Sequence, residues 1–155
     1  IESVLAPGLS FPQLLQALTV AVGQSILLPA IELEEGSTQE LAASRLNRHL
    51  IRRAAGSSDV QYLASAVTGG GIQVNRFQQL FIDSIQSGNQ DPALWASDAW
   101  RVLSSLGQRI IKDGATLETE KENVAELERQ AEVFFNLQAN VLGSLGVVDK
   151  NKFEV

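Results

Sequence analysis

The sequence predicts an all-α protein, a single-domain bundle of about five to six helices with one long C-terminal helix. Three observations predict it. Apolar residues recur at steps of three and four along most of the chain, no stretch keeps a sustained period of two, and capping residues stand where the periodic runs begin. Length and composition agree, since 155 residues that are 45% hydrophobic can build one sizeable core. The breaks are single glycines or short turns, so residues 1–155 read as one domain, with 146–155 as a C-terminal tail.

The first helix is predicted from Phe11 to Ala30, with Ser10 as N-cap and Pro12 in the first turn, where a missing N–H does no harm. Gly23 and Pro29 mark a weak spot near its end. The second opens at Ser37, which has the capping-box spacing to Glu40, and its Ala42, Leu46, Leu50, Ala54 row runs until Gly56. A third, short helix is expected from Ser58 to Thr68, with Val60, Leu63, Ala64 and Val67 on one side, before Gly69, Gly70 and Gly71 form a hinge. Asn75 and Gln78 pair as the cap of a fourth, whose apolar face is Phe77, Leu80, Phe81 and Ile85 and which Gly88 ends.

Asp91 and Pro92 open a fifth helix through Trp95, Ala99, Val102, Leu106 and Ile110 to Gly114. The sixth is expected from Thr116 to Leu145, with Val124, Leu127, Ala131, Phe134, Val141, Leu142 and Leu145 as its stripe and Gln138 as the one polar interruption. It would span about 40 Å at 1.5 Å per residue. Helix should then approach about three quarters of the chain.

Composition removes several classes of function. Twelve Lys plus Arg against 18 Asp plus Glu give a net charge of −6, the wrong sign for a general nucleic-acid binder. The lack of Cys excludes disulfides, thiolate zinc sites, iron–sulfur clusters and a cysteine nucleophile. The single His, His49, has no second His or Cys to complete a ligand set or a two-histidine triad. Gly69–Gly71 are not followed by the Gly-Lys-Ser/Thr of a phosphate loop, and no Gly-x-Ser-x-Gly elbow occurs. No cofactor or metal is called for. The chain begins at Ile1 and contains no Met, a pattern expected of a processed or trimmed terminus.

Three features stand out. Ser3 to Ile31 carries no charged side chain, a run long enough for a membrane span over 11–31. A seam of Gln13, Gln16, Thr19, Gly23 and Gln24, the Gly23 and Pro29 breaks, and acidic flanks at Glu2, Glu32, Glu34 and Glu35 oppose a span. A core helix with a glutamine seam is the plainest reading. If the helix instead meets a neighbour, an apolar ligand or lipid, Leu15, Val20 and Leu27 form the face that does so.

The second feature is the cluster of Arg45, Arg48, His49, Arg52 and Arg53, where 45, 48, 49 and 52 share a helical face. Guanidinium forks in a row suit an acidic partner, phosphate or carboxylate, while cations near a helix C-terminus also have a purely structural use. The third is the acidic start of the last helix, Glu118, Glu120, Glu122, Glu126, Glu128 and Glu132, which the helix dipole favours as a solvated end. Trp95 belongs to the core stripe. Trp100, five residues on, points elsewhere and is a candidate interface anchor.

These features together predict a non-enzymatic helical protein that works by self-assembly or protein binding, as a homo-oligomer or with a protein partner. Its contact residues would be Arg45, Arg48, Arg52, Arg53 and Trp100. One alternative is a carrier or sensor that encloses an apolar small molecule or lipid. A second is an enzyme whose carboxylates and arginines converge only in the fold.

Overall fold

The computed structural model describes residues 10–24, 26–34 and 36–149. They fall into two compact units divided between Glu32 and Leu33. The fold is mostly helical, with 58% helix, and ends in a long C-terminal helix, but it also contains two small two-stranded sheets, which corrects the all-α expectation.

In the first unit, α1 spans Phe11–Gly23. The Gln13 side chain accepts from the Ser10 N–H at 2.9 Å, and Pro12 sits in the first turn, as the sequence predicts. The helix stops at Gly23 instead of continuing to Ala30. Ile26 N–H closes back onto the Ala21 carbonyl at 2.9 Å, a terminal turn that satisfies a carbonyl the helix leaves open.

The second unit opens with α2, Thr38–Ala54. Ser37 Oγ accepts from Glu40 N–H at 3.4 Å, while the Glu40 carboxylate reaches past Ser37 to the Gly36 N–H at 2.7 Å. The buried row is Ala43, Asn47, Ile51 and Ala54. Leu46, which the Ala42–Ala54 row would bury, is instead exposed, because that row lies to one side of the true contact line.

The third predicted helix is a β-hairpin. β1 (Tyr62–Ser65) pairs antiparallel with β2 (Gly70–Gln73), Ala64 opposite Gly71. Gly69 turns the chain at φ +68°, and Gly71 leaves room for Tyr62, whose Cβ would lie 3.3 Å from a Cβ added there. The three glycines therefore belong to a turn and a strand, not to a hinge.

Next, α3 (Arg76–Gln86) begins with the reciprocal box that the sequence predicts: Asn75 accepts from Gln78 N–H at 3.0 Å and Gln78 accepts from Asn75 N–H at 2.7 Å. Its Leu80, Phe81, Ile82 and Ile85 are buried. Asp91 caps α4 (Pro92–Ser105), which ends nine residues short of Gly114. There β3 (Ile111–Lys112) and β4 (Ala115–Thr116) form a second hairpin about Asp113 and Gly114, both with positive φ, at +50° and +82°. Asp-Gly is the turn that such a two-residue hairpin requires.

The last helical run is α5 (Glu120–Phe134), a π-turn (Phe135–Ala139) and α6 (Asn140–Ser144). Thr119 and Glu122 form its capping box. The π-turn contains Gln138 and shifts the phase of α6, so Leu142 is buried while Val141, one position earlier, is exposed. Beyond it Val147 and Val148 are buried as well, so the tail expected from residue 146 begins inside the core.

α4 packs against α3 and α5, and Trp95, Phe81, Phe134 and Leu127 fill the space among them. Phe134 stands 5.9 Å from Phe81 and 6.3 Å from Trp95, centroid to centroid, the latter edge to face. Trp95 Nε1 donates to the Asn89 carbonyl at 2.8 Å, which satisfies its polar edge.

Candidate functional site

Three surfaces are candidates, each positioned by a different helix. The first is α1. None of its residues is buried, and Leu15, Val20 and Leu27 are 54%, 55% and 45% exposed. Leu18 and Val22 on the helix, and Ile26 just after it, are exposed as well. A helix with apolar groups on several faces is ordinarily covered by something. No helix among the described residues is long and apolar enough to cross a membrane.

The second is the outer face of α2, opposite its buried Ala43–Asn47–Ile51 row. Arg45, Arg48, His49, Arg52 and Arg53 all lie exposed there. Their surroundings differ. Arg53 is ion-paired with Asp59, while Arg52 acts on Asp83, whose carboxyl is raised above its ordinary range by desolvation first, with Arg52 opposing and Asp98 reinforcing. Arg45 and Arg48 make no ion pair or hydrogen bond among the described residues. Trp100 lies on α4, half-buried against the core.

The third surface is not legible as a site in the sequence. A half-open cleft of about 180 Å³ lies between the start of α3 and the α5–π-turn junction, lined by Asn75, Phe77, Gln78, Arg129, Val133 and Gln138 among others. Beside it Glu126, only 5% exposed, binds Arg129 at 2.5 and 3.0 Å, Lys112 at 2.7 Å and Gln130 at 2.9 Å. Chiefly the Arg129 hydrogen bonds, with those from Lys112 and Gln130 and against the cost of burial, hold the Glu126 carboxyl at about 2. Glu126 therefore stays charged and fixes Arg129. The acidic run expected to be uniformly solvated is divided, since Glu122 caps the helix, Glu118 pairs with Arg109 and Glu126 is buried.

The one signal for the cleft in the sequence is Gln138 as a polar interruption of an apolar stripe, together with Gln78 as a cap. Nothing in their spacing says that they meet. In the fold Gln78 Nε2 donates to Gln138 Oε1.

No protein-family model matches the chain, and no solved structure matches it. The chain is similar to the uncharacterized protein sll1526 of Synechocystis sp. (strain ATCC 27184 / PCC 6803 / Kazusa), with 33% identity over 140 residues. That similarity covers 90% of this chain but 27% of the relative, so the chain spans about a quarter of that protein's length.

Proposed function

We propose that this chain is a protein-binding module without a reaction of its own, and that α1 is its contact element, covered by α1 of a second copy. The observation that carries the reading is the exposure of Leu15, Leu18, Val20 and Val22 on a helix that has no charged residue. Burying such a side chain contributes about 1.5–3 kcal/mol, enough that a few of them favour association. A second copy suits this helix because an uncharged surface is complementary to itself: a two-fold contact brings identical residues together, and here it brings together no like charges. The acidic residues Glu32 and Glu34, just beyond the helix, speak against an anionic lipid surface as the cover.

The basic face of α2 supports a second contact. Arg45 and Arg48, without ion pairs among the described residues, suit an acidic protein surface, and extension of the similarity over a quarter of a longer protein fits a module that works beside other segments. Static light scattering tests the main reading. The wild type should exceed monomer mass, and Leu15→Lys with Val20→Lys should give a soluble, helical monomer. A wild type that is monomeric at high micromolar concentration overturns it.

A further inference from the structure

The polar groups of the cleft beside the π-turn are locked from both sides. On one side, Asn75 N–H donates to Gln78 Oε1 at 2.7 Å, which obliges Gln78 to turn its Nε2 toward Gln138 Oε1. Gln138 is left with its Nε2 donor unused among the described residues. On the other side, the Glu126 carboxylate takes Gln130 Nε2 together with Nε and Nη2 of Arg129, which leaves the Gln130 Oε1 acceptor and the Arg129 Nη1 donor without a hydrogen bond among the described residues. Two short relays, one starting from a helix cap and one from a buried carboxylate, thus fix which group each side chain has free. Donors and acceptors oriented before binding lose little freedom when a ligand arrives.

The apolar wall is supplied by Phe77 and Val133, with the buried Phe81 and Phe134 behind them. The volume, about 180 Å³, is close to that of a cavity able to hold a single benzene ring, about 150 Å³. The π-turn brings Gln138 to this wall, and such turns occur frequently at functional sites.

We propose that this cleft binds a small carboxylate that also carries a hydrogen-bond donor and an apolar group, an apolar α-amino acid being the simplest molecule with all three. The carboxylate meets Arg129 Nη1 and Gln138 Nε2, the ammonium meets Gln130 Oε1, and the side chain lies on Phe77 and Val133. Arg129 offers a planar cationic donor, and its bidentate hold on Glu126 keeps that donor in place. This site is independent of association through α1.

The test is a titration of the ¹⁵N-labelled protein with L-phenylalanine, followed by amide and side-chain shifts, with 3-phenylpropionate and phenethylamine as probes lacking the ammonium or the carboxylate. L-phenylalanine should give saturable shifts at the start of α3 and in the π-turn, with weaker binding of both partial probes. Arg129→Gln and Gln138→Leu should each weaken it by about tenfold, the effect expected for one charge-assisted or well-oriented hydrogen bond. Gln138→Leu leaves the Glu126 cluster intact, so it decides the matter if Arg129→Gln does not fold. Absence of saturable shifts with L-phenylalanine, equal binding of phenethylamine, or unchanged binding by Gln138→Leu would overturn the proposal.

Discussion

Asn47 and Ala64 exchange two hydrogen bonds: Asn47 Oδ1 accepts from Ala64 N–H at 2.7 Å, and Asn47 Nδ2 donates to the Ala64 carbonyl at 2.8 Å. The side-chain amide takes the place of a neighbouring strand on the open edge of β1. Its Nδ2 also donates to the Val147 carbonyl at 3.1 Å, so one residue of α2, itself 1% exposed, ties together a helix, a hairpin and the segment after α6.

Asn47→Leu should therefore destabilise the fold by about 2–4 kcal/mol, because it strands the half-buried Ala64 N–H and the buried Val147 carbonyl without partners. Urea unfolding followed by circular dichroism measures this. A loss below about 0.5 kcal/mol, the range of an ordinary surface substitution, would contradict the role.

A second amide anchors the other hairpin. Asn123 accepts from Ile110 N–H at 2.8 Å and donates to the Leu117 and Thr119 carbonyls at 2.9 and 2.7 Å, thereby holding both ends of β3–β4 against α5. Asn123→Ala should accelerate hydrogen exchange at Ile110 and Leu117 more than at Leu80 in α3, and cost about 2–3 kcal/mol of global stability. Uniform acceleration across both helices and hairpin would show that the anchor has no local function.

Glu126 gives the fold a pH dependence at low pH. Its folded value of about 2 lies below the ordinary 4.5, so between these the unfolded chain binds the proton that the folded chain refuses, and stability rises with pH. The contribution is fully present above about pH 4.5 and is lost as pH falls through about 2. Its size is roughly 2–3 kcal/mol, reduced by the exposure of Arg129 and Lys112. Glu126→Gln should be less stable at pH 7 and should flatten this acid limb; an unchanged slope would place the titration elsewhere.

The helices that the sequence revealed are those whose signals are local. Ser37, Asn75 and Asp91 each mark a helix start by a side chain that reaches its own first turn. Both hairpins escaped the period-of-two test because their strands span only four and two residues, too short to alternate. The Asp113-Gly114 dipeptide was the available signal for the second, and the helical spacing of Leu106 and Ile110 concealed it. Asn47, Gln79 and Asn123 carry no local signal of their role, since each is buried and bonded to backbone that the chain brings to it only in the fold. Gln79 donates to the Val60 and Val74 carbonyls at 2.7 and 2.9 Å, a long-range tie that spacing alone does not encode. The cleft escaped for the same reason, since Gln78 and Gln138 lie 60 positions apart.

Reversing Arg45 and Arg48 to Glu should leave folding intact within about 1 kcal/mol, since both are exposed on α2 and make no ion pair among the described residues, while it weakens binding to an acidic partner and lowers the salt dependence of that binding. Equilibrium unfolding checks the first outcome and a salt series the second. Loss of folding would mean that the row serves an internal network instead.

The most direct measurement of the claim that α1 is the contact between copies uses the lack of Cys, which lets a single introduced thiol carry a spin label without background. Labels at Gln16→Cys on α1 and, in a separate sample, at Ser104→Cys on α4 are compared by dipolar spectroscopy across a concentration series. Pairing through α1 predicts a short distance between copies for the Gln16 label that fades on mixing with unlabelled protein, and a longer or absent one for the Ser104 label. A short distance only at Ser104, or no coupling between copies at either position at high micromolar concentration, would contradict it.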